Sequence, residues 1–244
     1  MSTRLVVQNA YVATVDAAST EHPAGHLVAV DGVIEAIGAG PAPTFADDVP
    51  THTVDGTGCL LTPGLVNTHH HLYQWATRGL ATTSTLFEWL TELYPVWGRL
   101  DAGVLDAAAR ANLGWLALGG CTTTTDHHYV FPAHAGDLLG VEIAAAGELG
   151  VRFHPCRGSM DLGQSAGGLP PDHIVEDLDT ILAETQQAID RYHDPAFGSM
   201  TRIAVAPCSP FSVSTDLLRE AVSLARHNGV RLHTHLAETL VEEG

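Results

Sequence analysis

Two histidines, His69 and His71, stand either side of His70 at the end of an apolar run in TPGLVNTHHHLYQ, residues 62–74. On an extended strand, residues i and i+2 face the same way, so both imidazoles aim at one point. That is how a chain offers two nitrogen ligands to a divalent ion at about 2.0–2.1 Å. His70 then faces away, so the triplet supplies two ligands rather than three. A second cluster lies in LHTHLAET, where His235 is a third nitrogen and Glu238 follows three residues on. A carboxylate beside a water polarised by the ion can take a proton from it and return it to a leaving group. His233 shares the face of His235 and is either a competing ligand or a hydrogen-bonding support for one. For each cluster the bland alternative is an ordinary polar strand end. Together they point to one metal centre.

Other chemistries are excluded by what is missing. All 11 basic residues are arginine, so no Schiff-base, phosphate-loop or metal-bridging lysine exists in these residues. H-E-x-x-H, P-C-x-x-C and G-x-S-x-G are absent, which argues against zincins, cytidine-deaminase zinc sites and serine hydrolases. Gly38-x-Gly40 runs into Pro41 rather than a helix, so it is not a dinucleotide loop. A net charge of −17 argues against nucleic-acid binding, which needs clustered positive charge. The N-terminus lacks an apolar signal core and no run of about 18 apolar residues occurs, so we expect a cytoplasmic protein that does not cross the membrane. Cys59, Cys121, Cys156 and Cys208 are far apart and read as free thiols.

The elements that must position these residues change character near residue 60. Before it, Leu5–Val7, Tyr11–Val15, Leu27–Val30 and Val33–Ile37 read as short strands, with a hairpin at Asp31-Gly32. Ala39 to Asp55 reads as a Pro/Asp-rich connection. We therefore expect a small β domain over residues 1–59. From residue 60 to 244 strands alternate with helices. The first strand ends at His71; the others are Cys121–Thr125, Val151–Cys156, Arg202–Ala206 and Val230–Thr234. Expected helices follow Ser84-Thr85, run over Asp101–Leu118 and Asp137–Leu149, start at Pro171-Asp172, and span Thr215–His227 behind Ser214. Polar residues gather after each strand, which favours a (β/α)8 barrel over a doubly wound sheet. Only five units are present before Glu242-Glu243-Gly244, so the expectation is a barrel truncated after strand five, part of a longer protein.

PGLVNTHHHLYQ, GCTTTTDHHYVFP, HPCRGSMDLG, VAPCSPFSVS and LHTHLAET together resemble the amidohydrolase superfamily, in its cytosine-deaminase-like branch of purine and triazine hydrolases. The resemblance implies a small β-sandwich-like domain beside a TIM-type barrel holding one Zn or Fe ion. It implies His69, His71 and His235 as metal ligands and Glu238 as the proton-shuttling acid. It also implies a His after strand six and an Asp after strand eight, which lie outside these residues. The implied activity is hydrolytic deamination of an oxopurine such as 8-oxoguanine, giving urate and ammonia. The alternatives are an s-triazine or another aminated heterocycle, or an inactive fragment.

Gln74 matches a position that holds the purine in related enzymes, and Arg157 can donate its fork to a ring carbonyl. Of His127 and His128, one is expected to face the substrate and one to pack inward; His128 is taken as the substrate contact. Trp75, Trp89 and Trp97 suit packing, and the aromatic segment from Phe87 to Trp97 suits a lid or a homo-oligomer interface.

Overall fold

A computed structural model describes residues 2–240, so the expectation for the last residues, Glu242 to Gly244, lies outside the described part. The chain divides into two compact units, Met1–Gly64 and Leu65–Gly244. The boundary thus falls five residues after the expected one. The reason is that Leu60–Leu61 pairs with the first strand of the small unit rather than opening the second.

The small unit is one mixed sheet of β1 (Arg4–Ala13), β2 (Glu21–Val30), β3 (Val33–Ala39), β4 (Thr51–Asp55) and β5 (Leu60–Leu61). Its order is β3-β2-β1-β4, with β5 also on β1, and the expected second sheet is not found among the described residues. The two short strands expected before Val15 are one strand, interrupted by register shifts between Val7 and Val12. Asn9, at φ +62°, provides that irregularity. Asp31 and Gly32 both have positive φ, the signature of the tight hairpin turn joining β2 to β3. The stretch expected as pure connection contains β4, which pairs in parallel with β1 from Arg4↔Thr51 to Gln8↔Asp55.

The second unit is an open, all-parallel sheet. β6 (Leu65–Asn67), β7 (Cys121–His128), β8 (Arg152–Ser159), β9 (Ala204–Pro207) and β10 (Arg231–Leu232) lie in the order β10-β9-β8-β7-β6. A 3₁₀ turn over Leu72–Thr77, then α1 (Leu86–Trp97) and α2 (Ala102–Leu118), separate β6 from β7. α3 (Leu138–Leu149), α4 (Leu178–Tyr192) and α5 (Thr215–Asn228) make the remaining crossovers.

Local chemistry sets the helix ends. Thr85 and Glu88 form a capping box for α1. Asp101 and Ser214 accept from Val104 N and Leu217 N at the starts of α2 and α5. Gly150 and Gly229 end α3 and α5 in the left-handed conformation that glycine adopts without strain. α4 begins later than expected. Pro171-Asp172 opens only a 3₁₀ turn, and the cap is Asp177, accepting from Thr180 N.

β7 and β8 are in register from Thr123↔Arg152 to His128↔Arg157, so Asp126, His127 and His128 stand at one end of the sheet. Gly158 lets that register persist. A Cβ there would stand 2.6 Å from Tyr129 Cβ and collide with the His128 carbonyl oxygen. Gly158→Ala should therefore cost about 1–3 kcal/mol, read by urea unfolding. An unchanged midpoint would show that the strands are not this close.

Candidate metal centre

The three histidines expected as ligands come together. The ring centroids of His69 and His71 are 4.9 Å apart, those of His69 and His235 4.9 Å, and those of His71 and His235 5.1 Å. His69 and His71 follow β6 directly, and His235 follows β10, at the two edges of the sheet.

Backbone carbonyls fix which nitrogen each ring presents. His71 Nδ1 lies 2.7 Å from the His127 carbonyl oxygen, and His235 Nδ1 lies 2.7 Å from that of Cys208. A carbonyl only accepts, so each Nδ1 carries the proton and each Nε2 is a bare lone pair in the neutral ring. Those two Nε2 atoms face each other at 3.2 Å. No hydrogen lies between them, so the contact is repulsive unless an electrophile bridges it. Two nitrogen ligands on a tetrahedral ion are separated by about 3.3 Å. The donor set therefore fits a divalent ion.

Burial keeps the His69 and His71 rings in the ligating form. The His71 ring is pushed well below the usual imidazole value, by burial first and by His235 second. His69 is lowered to about 4 by burial and then by its neighbours His235 and His233. Both rings are neutral at pH 7. His69 is anchored by a side chain, with Nδ1 2.9 Å from His233 Nε2. A His69 that ligates through Nε2 carries its proton on Nδ1 and donates it to His233. His233 then keeps its own proton on Nδ1, 3.4 Å from Cys156 Sγ. Burial pushes the Cys156 thiol up, so it remains S–H.

Glu238, Gln74 and Tyr129 line the same cavity of about 180 Å³ as His69, His71 and His235. Glu238 is exposed and follows Ala237, whose φ of +54° turns the chain after His235. A non-glycine residue in that region marks local strain. Gln74 is half-buried and its amide nitrogen lies 3.4 Å from Tyr129 Oη. Leu86 and Trp89 of α1 close another side of the cavity.

Two expected substrate contacts are placed elsewhere. His128 is fully buried, with Nδ1 3.0 Å from Glu142 Oε1 and Nε2 2.9 Å from the Val130 carbonyl. Both its nitrogens are committed, so it packs inward. Arg157 is 4% exposed, holds Glu176 through two nitrogens at 3.0 and 2.7 Å, and stacks on Phe131. It borders a separate cavity of about 550 Å³ with Asp137 and Arg191.

His127, the other member of the pair, lies against the histidine cluster. It is fully buried, neither ring nitrogen has a partner, and it stacks on His235 at 4.4 Å with 10° between the planes. Ring nitrogens of His69, His127 and His235 also lie within 4.8 Å of one another. We favour His71 as the ligand, because ligating histidines are held through the other ring nitrogen. His71 is so held; His127 is not. In sequence, nothing separates the two members of His127-His128. Asp126 and Glu142, both fully buried, carried only a faint signal: Glu142 is an acid within the otherwise apolar first turns of α3.

The Amidohydrolase family model matches residues 60–243, and the chain belongs to that family. It is 46% identical over 223 residues to 8-oxoguanine deaminase from Pseudomonas aeruginosa, covering 90% of this chain and 49% of that one. It is 36% identical to hydroxydechloroatrazine ethylaminohydrolase from Pseudomonas sp. (strain ADP), covering 98% of this chain and 52% of that one. The structure of atrazine chlorohydrolase from Arthrobacter aurescens TC1, complexed with zinc, superposes with a TM-score of 0.87 at 35% identity. That match covers 97% of this chain and 53% of the other. The chain thus spans about half the length of the relatives it matches.

His233→Phe should weaken zinc binding by about 10–100-fold, because His69 loses the partner that orients it. Competition with a chromophoric chelator measures this. Equal affinity for both proteins would remove the orienting role.

Proposed function

We propose that this chain contributes the metal centre and proton shuttle of a hydrolase that deaminates an oxopurine, with 8-oxoguanine as substrate and urate and ammonia as products. The observation that carries the metal centre is the pair of facing Nε2 lone pairs on His71 and His235, 3.2 Å apart. The substrate rests on likeness to the Pseudomonas aeruginosa deaminase. A divalent ion, zinc or iron, held by His69, His71 and His235 would lower the pKa of a water to near neutrality.

The residues of the chain do the rest. Glu238, on the same cavity, accepts the proton of the water that attacks the amino-bearing carbon, C2 of 8-oxoguanine. It then delivers that proton to the departing ammonia. Gln74 presents both an amide donor and an acceptor at the cavity wall, a pattern suited to the edge of a purine. His127 is a second polar group facing the cluster. Leu86, Trp89 and Phe211 keep bulk water away, which strengthens each of these polar contacts. The reading includes a small heterocycle as partner and no nucleic acid. Among the described residues no helix is long and apolar enough to cross a membrane.

A triazine is the second reading, supported by the likeness to atrazine chlorohydrolase. Ammonia release from 8-oxoguanine, isoxanthopterin and an aminated s-triazine, each with Zn(II) or Fe(II), ranks them. Turnover of the triazine without turnover of 8-oxoguanine would reverse the order. Glu238→Gln should keep its metal and lose about 10²–10⁴-fold in kcat. A smaller loss would move the proton shuttle to another residue.

A further inference from the structure

Asp126, His128 and Glu142 form a second cluster of ionisable groups. All three are fully buried, and one ligand-type atom from each lies within 4.8 Å of the others. Arg157, the nearby buried cation, is paired with Glu176 instead. Two anionic carboxylates in such a place would be costly. A count of donors and acceptors gives another arrangement.

His128 Nε2 lies 2.9 Å from the Val130 carbonyl, which only accepts, so that nitrogen carries the ring proton. The neutral ring then has a lone pair on Nδ1, 3.0 Å from Glu142 Oε1. The proton in that bond belongs to Glu142. Its other oxygen, Oε2, is without a donor, and so is Oδ2 of Asp126. A carboxyl proton on Asp126 Oδ2, donated to Glu142 Oε2, completes both. Asp126 Oδ1 accepts from Leu72 N–H. One continuous chain results: Leu72 N–H to Asp126, Asp126 O–H to Glu142, Glu142 O–H to His128, and His128 N–H to the Val130 carbonyl. It has no net charge and no orphaned atom.

Burial pushes in the same direction. Asp126 is raised well above the carboxylate range, Glu142 is pushed up to about 8 and His128 down to about 4, each with desolvation as the largest cause. An imidazolium–carboxylate pair at His128 and Glu142 would place two full charges in the interior, and with Asp126 also ionised it would leave Asp126 Oδ2 and Glu142 Oε2 without donors.

The chain is attached to the metal centre by its first bond. Leu72 directly follows His71, and Asp126 directly precedes His127. His127 N–H donates to the His70 carbonyl at 2.7 Å, and the His127 carbonyl accepts from His71 Nδ1 at 2.7 Å. Three consecutive residues, His70, His71 and Leu72, are thus gripped by Asp126 and His127. Glu142 and His128 anchor Asp126 from behind, tying α3 and the end of β7 to that grip.

We propose that Asp126 and Glu142 are positioning residues, acting as a pair of neutral carboxylic acids that hold the His71 ring in its ligating orientation. The role toward His71 rests on the ligand assignment above; the protonation of the pair does not. Amides reproduce the donor and acceptor at each position, whereas alanine removes both.

Asp126→Asn and Glu142→Gln should therefore bind zinc within about threefold of the parent, while Asp126→Ala and Glu142→Ala should lose about 10–100-fold. The alanine variants should also melt about 5–10 °C lower. Infrared difference spectra at pH 7 of parent minus each amide variant should show the protonated-carboxyl C=O band of the one acid which that variant replaces. This reading survives an alanine variant that fails to fold. Absence of the band, or amide variants as damaged as the alanine ones, would overturn the proposal. Loss of a whole metal equivalent in Asp126→Asn would overturn it in favour of a second metal site. Full zinc affinity in His71→Ala with the band intact would instead retract the ligand assignment and leave the neutral pair standing.

Discussion

The facing Nε2 atoms of His71 and His235 are the contact on which the candidate metal centre depends. Two lone pairs 3.2 Å apart repel, and nothing in either side chain would hold them there. The carbonyls of His127 and Cys208 do so by claiming the opposite ring nitrogens. His127 belongs to β7 and Cys208 follows β9 directly, so the ligating geometry is a property of the parallel sheet. A slip of one residue would turn each side chain to the other face and dissolve the site. The ladder from Thr123↔Arg152 to Ser159↔Pro207 prevents that slip across three strands.

The surroundings act on the same groups through solvation. The net charge of −17 contrasts with the metal centre and the Asp126–Glu142–His128 cluster beside it. Their groups favour neutral forms: His69 and His128 are lowered to about 4, and Glu142 is raised to about 8. A low-dielectric environment makes neutral imidazoles available as ligands at pH 7 without a carboxylate partner. It also makes every unpaired polar atom expensive, which explains the tight hydrogen-bond bookkeeping around Asp126 and Glu142.

Much of the scaffold was legible because its signals are local. The Asp31-Gly32 turn, the caps at Thr85, Asp101 and Ser214, and the stops at Gly150 and Gly229 each act within a few residues. The late start of α4 was less legible, since Asp172 and Asp177 are equally good caps and only packing chooses between them. β4 was hidden in a stretch rich in Pro and Asp, because its strand character comes from pairing with β1 rather than from propensity.

By itself the sequence determined that His69 and His71 lie close together, that His235 and Glu238 travel together, and that no lysine chemistry is available within these residues. Residue type and short spacing suffice for those statements, but the strand expected to reach His71 ends at Asn67. Only the tertiary structure decided that His128 turns inward to Glu142, that Arg157 pairs with Glu176, and that His233 backs His69. Each of these depends on a partner far along the chain. His128 and His127 are chemically identical neighbours, and the pleat sends one toward Glu142 and the other toward the histidine cluster.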